Sequence, residues 1–181
     1  RDSDTFRFLM VSRLIKDKGL HEFIDAAKIT KKNGVEFWIL GESNSENLTA
    51  ISKKDISRLS QNGVVKFFDK TDDVKSFLNK VDCVVLPSYR EGSPRSILEA
   101  SSSCIPVIVT NVTGCRDVVD NNITGLYCRV KDAKDLASKM RVIINMTKDE
   151  RKKMGQMGRK KMLNHYDESI VINNYKEKIS D

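Results

Sequence analysis

Histidine is nearly missing from this chain. His21 and His165 are the only two, and the four cysteines, Cys83, Cys104, Cys115 and Cys128, show no C-x-x-C spacing. A structural zinc site needs such clusters, so zinc is set aside and the thiols read as reduced, as in a cytosolic protein. No apolar run approaches the roughly 20 residues that span a bilayer. The start, Arg1-Asp2-Ser3-Asp4-Thr5, is polar and shows no signal peptide. Residues 1–5 read as a linker, and the D-x-D in it lacks the context that would make it a metal motif. Four N-x-[ST] sequons, at Asn47, Asn111, Asn122 and Asn145, read as chance in an Asn-rich chain with no secretion signal. Internal repeats, low-complexity tracts and interdomain linkers are absent too. What remains is a globular composition, 31% charged and 39% hydrophobic over 181 residues, enough for one sizeable core.

Charge is not scarce, and it is uneven. The net charge is +7, and seven Lys or Arg fall between Lys148 and His165 against only Asp149 and Glu150. Nucleic acid, an anionic membrane surface and a plain solvated helix all fit such a stretch. Nucleic acid is set aside because interleaved aromatics are lacking, with only Tyr166 nearby. Met154, Met157, Met162 and Leu163 read as one apolar helix face. That leaves a structural helix or a basic face for anionic lipid.

Short apolar runs alternate with segments of helical periodicity. Strands are expected over 6–12, 35–40, 64–68, 81–87, 106–109 and 125–130. Helical spacing appears at Leu20, Phe23, Ile24 and Ala27, with Gly34 as its stop, and again at Leu48, Ile51, Ile56 and Leu59. Asp72 or Asp73 caps a short helix with Val74, Phe77 and Leu78. Gly114 is expected to turn the chain. Asp132 caps a helix with Leu136, Met140 and Ile143, and Thr147 to Glu150 forms a capping box. Asp167 starts a last helix with Ile170, Ile172 and Tyr175, so residues 147–181 are terminal helices. The alternation predicts a single α/β domain over 1–181. It is a Rossmann-like, doubly wound parallel sheet of about six strands with helices on both faces. Ligands bind such sheets at the carboxyl ends of the strands.

One stretch concentrates the chemistry: Tyr89-Arg90-Glu91-Gly92-Ser93-Pro94-Arg95-Ser96-Ile97-Leu98-Glu99. It follows the fourth strand. Ser93 suits an N-cap and Pro94 the first helical position, so free backbone N–H groups should gather beside Gly92 and Ser93. Such a helix start takes an anion, most often phosphate. Glu91 before the helix and Glu99 within it suit hydroxyl groups. One anion site between two hydroxyl acceptors describes a nucleoside-diphosphate sugar.

The spacing Glu91-x7-Glu99, within E-G-S-P-R-S-I-L-E-A, resembles the E-x7-E motif of retaining glycosyltransferases of family 4, which have the GT-B fold. V-S-R-L-I-K-D-K-G-L resembles the family's first-strand loop, and Ile105 to Leu126 continues the pattern. The resemblance covers roughly residues 6–145 and is nearest in wording to bacterial surface-polysaccharide enzymes. It implies the carboxyl-terminal, donor-binding half of a two-domain enzyme. It implies transfer of a hexosyl or N-acetylhexosaminyl group from a UDP or GDP sugar, with retention. It also implies that Arg13 and Lys18, followed by Gly19, grip the diphosphate, and that Glu91 lies beside the donor sugar. Glu99 would hold ribose, with Gly92, Ser93, Pro94, Arg95, Ser96 and Ile97 lining the donor, and Lys70 and Thr71 touching the base. No cofactor and no obligatory metal are implied. The acceptor, a saccharide or a lipid-linked one, would sit on an amino-terminal domain, with the enzyme cytoplasmic at the inner face of the plasma membrane. Without that domain the chain should bind donor but transfer nothing efficiently. Three positions depart from the family's habits: Asp69, Ser43 and Cys104 stand where glycine is common. A non-catalytic nucleotide-sugar-binding module is the alternative on the same fold.

Overall fold

In a computed structural model, residues 5–43, 50–61 and 63–170 are described. Six strands form one sheet: β1 Phe6–Val11, β2 Val35–Leu40, β3 Lys66–Phe68, β4 Cys83–Leu86, β5 Val107–Thr110 and β6 Gly125–Cys128. All pairings are parallel, in the order β3-β2-β1-β4-β5-β6. The helices are α1 Leu20–Thr30, α2 Lys53–Gln61, α3 Val74–Leu78, α4 Arg95–Ser102, α5 Thr113–Val118, α6 Ala133–Asn145 and α7 Lys148–His165. The doubly wound reading therefore holds. The strand order reverses between β1 and β4, which opens a crevice at their carboxyl ends.

Alternate residues of the strands feed two cores. Phe8, Met10, Phe37, Ile39 and Val85 pack with α1 and α6 on one face. Leu9, Leu40, Val84, Leu86 and Val109 pack with Ile97, Ala100 and Cys115 on the other. β4 and β5 are buried on both faces, which is why they read as unbroken apolar runs. Phe8 stacks on Phe37 at 5.5 Å, and Trp38, Phe68 and Phe77 cluster on the opposite face. Each such side chain, fully buried, contributes about 1.5–3 kcal/mol.

Several expectations shift. α1 ends at Thr30, and Gly34 (φ 77) lies in the turn before β2 instead of capping the helix. β3 starts at Lys66. α2 starts at Lys53, after Ile51, while Leu48 lies outside the described residues, as do Asp2 to Asp4, Asn47, Ile172 and Tyr175. Gly114 does not turn the chain. It sits inside α5, where a Cβ would come within 1.9 Å of the Gly92 carbonyl oxygen. The two caps expected at Asp73 and Asp132 are present, each side chain accepting an N–H three residues on, and Thr147 with Glu150 completes the capping box.

The basic helix α7 corrects the single apolar face expected of it. Met154, Gly155, Gly158 and Met162 are buried, but Met157 and Leu163 are 37% and 53% exposed. The two glycines let the backbones meet: a Cβ at Gly155 would lie 1.9 Å from the Cys104 carbonyl oxygen, and Gly158 rests on Ser101. Three of its cations are tied to the domain. Lys161 pairs with Asp120 at 2.7 Å, Arg159 donates to the Ser102 carbonyl, and Arg151 donates to the Met146 carbonyl and covers Phe6. Lys152, Lys153 and Lys160 are exposed.

Candidate functional site

The loop after β1 begins the site. Its short 3-10 turn, Lys16–Lys18, ends at Gly19 in the left-handed region (φ 75). A Cβ at Gly19 would sit 2.1 Å from the Pro87 carbonyl oxygen, so only glycine lets this loop close onto the end of β4. That closure has a chemical result. Lys18 Nζ lies 2.6 Å from Glu91 Oε1, with the two side chains 19% and 9% exposed. Glu91 is therefore no solvated turn residue; it forms a charge-assisted pair across two loops.

The loop after β4 leads into α4 one residue later than the sequence predicts. Pro94, with extended backbone (φ −75, ψ 98), is the N-cap in place of Ser93, and no side chain caps the helix. Its carbonyl accepts the N–H groups of Ile97 and Leu98. A proline at that boundary costs nothing, because no donor is needed there. Arg95 and Ser96 then supply the remaining first-turn N–H groups, which with the helix dipole favour an anion. Ile97 is not a lining residue: it is fully buried under Leu86 and Val109 in the core. Gly92 is pressed against Gly114 from below.

Around these loops lies a cleft of about 670 Å3. Arg13, Lys18, Lys70, Thr71, Glu91, Ser93, Pro94, Arg95, Ser96 and Glu99 all line it. Of the expected residues, Gly19 and Ile97 act behind the wall as packing instead, while Gly92 is exposed at the turn before α4 and does not line the cleft. The acidic and basic groups alternate around the rim. Arg95 Nε stands 3.7 Å from Glu99 Oε1, one helical turn on, and Lys70 Nζ stands 3.0 Å from Glu42 Oε1. Both pairs are well exposed, so an entering ligand can exchange them at little cost. Arg13 is exposed at the β1 end. Thr71 Oγ1 accepts from the Asp73 N–H at 3.1 Å, fixing the loop before α3. The hydroxyl stays available as a donor.

Reasoning from sequence missed the layer behind the wall. Tyr89, Glu22, Ser88, Asp17 and Thr110 form hydrogen bonds between the β1, β4 and β5 loops. Their spacing in the chain carries no signal for this, because it exists only once the strands are ordered. The cysteines take no part as reactive groups. All four are free; burial, with the negative charge of Glu91 nearby, pushes the Cys115 thiol up to about 12, and burial lifts Cys128 to about 12. Such thiols are weak nucleophiles at neutral pH. Among the described residues no group of three or more His, Cys, Asp or Glu side chains could hold a metal. No helix among them is long and apolar enough to cross a membrane. A second groove, about 580 Å3, lies between the end of α5 and α7, away from the carboxyl ends of the strands.

The arrangement offers cations and helix N–H groups for an anion, with carboxylates on either side for hydroxyls. The family model described as "Glycosyl transferases group 1" matches residues 1–161. The capsular polysaccharide biosynthesis glycosyltransferase CapM of Staphylococcus aureus is 36% identical over 173 residues, covering 93% of this chain and 44% of that protein. The N,N'-diacetylbacillosaminyl-diphospho-undecaprenol alpha-1,3-N-acetylgalactosaminyltransferase of Campylobacter jejuni is 30% identical, covering 92% of this chain and 42% of that protein. This chain thus spans less than half the length of these two relatives. Among solved structures, Anabaena Alr3699/HepE in complex with UDP and glucose superposes with a TM-score of 0.84 at 21% identity. It covers 98% of this chain and 49% of that one, and shows the same fold, one half of the GT-B architecture.

Proposed function

The chain belongs to the group 1 glycosyl transferases, and from that premise we propose that it is the donor-binding half of a retaining hexosyl- or N-acetylhexosaminyltransferase. One observation carries the reading: Lys18 and Glu91 meet at a cleft that also contains the first turn of α4. A nucleoside-diphosphate sugar, of UDP or GDP, supplies the matching groups. Arg13, Lys18 and the Arg95 and Ser96 N–H groups face the diphosphate. Negative charge grows on its oxygens as the sugar leaves, and these donors stabilise it there. Glu99 accepts from the ribose hydroxyls and Glu91 from those of the donor sugar. Lys70 and Thr71 approach the base. In the retaining reaction the acceptor attacks from the face that the diphosphate leaves, so neither glutamate serves as a general base. Fixed cations and the helix dipole do the work that a metal would otherwise do.

By their names, one relative acts in capsular polysaccharide biosynthesis and the other is an N-acetylgalactosaminyltransferase acting on a diphospho-undecaprenol-linked sugar, and the HepE structure was solved with UDP and glucose. They support a nucleotide-sugar donor and a saccharide or lipid-linked acceptor here. The acceptor is held by an amino-terminal domain of the same polypeptide, at the cytoplasmic face of the plasma membrane. Lys152, Lys153 and Lys160 face outward and attract anionic lipid mainly by charge, since Met154 and Met162 are buried against the domain and only Met157 and Leu163 of the apolar residues on α7 stay exposed.

Calorimetry of this chain against UDP, GDP and ADP, then their hexoses, tests the reading. Binding of one diphosphate and its sugar, far above the free nucleoside, is the expected result. Absence of any diphosphate binding overturns it. A full-length protein that binds donor without turnover would favour the non-catalytic module instead.

A further inference from the structure

The loop that carries Glu91 is held from behind by a tyrosine two residues earlier. Tyr89 Oη donates to Glu22 Oε1 at 2.7 Å, joining the β4 loop to the first turn of α1. The Tyr89 N–H donates to the Asp17 carbonyl at 2.8 Å. Ser88 Oγ donates to the same carbonyl at 3.1 Å, and Thr110 Oγ1 donates to the Ser88 carbonyl. From the β6 side, Lys131 places its ammonium 4.9 Å from the Tyr89 ring centre, on a left-handed backbone (φ 58). Tyr89 is therefore fixed at its hydroxyl and its backbone by residues beyond β1, and at its ring face by a residue beyond β6.

This layer is not the cheapest way to fill the space. The second oxygen of Glu22 is buried with no hydrogen-bond partner among the described residues. A buried acceptor left unmade costs stability, and an apolar pair of similar shape would avoid that cost. What the polar pair supplies is direction. Glu22 lies in the first turn of α1, directly after Lys18 and Gly19, and Tyr89 lies two residues before Glu91, so the hydroxyl bond that joins Tyr89 to Glu22 helps to fix how far Lys18 stands from Glu91.

We infer that Tyr89, held by Glu22 and Lys131, is a positioning residue that sets the Glu91 carboxylate toward the donor sugar. The inference rests on the donor-site reading above. Tyr89 touches no ligand itself and lies outside the cleft lining. Its hydroxyl bond is separate from the Ser88, Thr110 and Asp17 bonds, so Tyr89→Phe leaves those in place and the chain folded. The α4 N–H groups and Arg13 also stay where they are. The effect should then fall on the sugar end of the donor and spare the diphosphate end.

The test is calorimetry of this chain with UDP, GDP and their hexose and N-acetylhexosamine derivatives, with thermal melting in parallel. Tyr89→Phe is expected to weaken the best nucleotide sugar about tenfold, the scale of one charge-assisted hydrogen bond. UDP or GDP alone should bind as before. Glu22→Gln, which keeps an acceptor for the tyrosine, should bind close to wild type, while Glu22→Leu should behave like Tyr89→Phe. Equal weakening of diphosphate and nucleotide sugar, or no weakening of either, overturns the inference while the donor site stands. A wild-type chain that binds none of these ligands overturns the donor site, and this inference with it.

Discussion

Lys18 and Glu91 are 73 residues apart in the chain and 2.6 Å apart in the fold. In the free domain the lysine is already paired. On the proposed donor reading, a diphosphate arriving at Lys18 would compete with Glu91, and the carboxylate it displaces would be free to accept from sugar hydroxyls. The two residues would thus exchange one partner for two.

That exchange gives opposite signs for two substitutions. Lys18→Ala should weaken nucleoside diphosphate binding about tenfold or more, because a hydrogen bond to a charged group contributes roughly 1.5–3 kcal/mol. Nucleoside binding should hardly change. Glu91→Gln removes the competitor, so the diphosphate alone should bind more tightly while the nucleotide sugar loses its advantage over it. Titrations of both variants with both ligands check this; a Glu91→Gln chain with weakened diphosphate binding would end the exchange argument.

Glu99 faces the cleft from inside α4, and its carboxylate pairs with the exposed Arg95 at 3.7 Å. Glu99→Gln keeps the shape but accepts hydroxyl hydrogens less strongly. Affinity for the ribonucleotide should fall about tenfold, and far less for its 2′,3′-dideoxy analogue. Equal losses would make Glu99 a structural residue.

Cys104 ends α4 in the left-handed region (φ 58). The Ile105 N–H donates to the Ala100 carbonyl and the Cys104 N–H to that of Ser101, the paired bonds of a Schellman cap. Glycine suits that position, since a side chain there costs roughly 1–2 kcal/mol. Part of the gain returns as added freedom of the unfolded chain. Cys104→Gly should therefore stabilise the domain by about 1 kcal/mol, raising Tm by roughly 2–4 °C for this size. A lower Tm in a thermal melt would show that the thiol's packing outweighs the backbone strain.

Glu36 on β2 gives a pH effect. Its burial works to raise its pKa, but hydrogen bonds from Lys66, Arg7 and Trp38 outweigh that and hold it below its ordinary 4.5. A carboxylate lowered in the fold adds stability that is complete above 4.5 and lost as pH falls through the folded value. Melting temperature should drop below pH 4.5, and Glu36→Gln should be less stable at neutral pH yet flatter in acid. Parallel acid slopes for the two proteins would assign the acid loss to other groups.

The strands were legible because they are short, largely apolar runs flanked by polar residues, glycine or proline. The cleft residues were legible because strand, glycine turn and helix bring a helix start to the carboxyl edge of the sheet. Contacts that depend on strand order were not. Nothing near Tyr89 in the chain announces Glu22 or Lys131, and Ile97 sits inside the motif yet points into the core. Glycine was the most misleading letter. Gly114 looks like a turn in the sequence, but it lies within a helix, as does Gly155, and each marks a place where another backbone comes too close for any side chain.

The last of these has a consequence for how small a donor-binding unit can be. α4 aims its first turn at the cleft, and its far end is keyed to α7 through Gly155 and the Cys104 carbonyl. The helix whose first turn opens on the cleft is thus steadied from its far end, by residues that do not line the cleft. A fragment cut at the end of α6 would keep every lining residue and lose that support. The smallest autonomous donor site is accordingly longer than its list of ligand contacts, and extends at least through Met162.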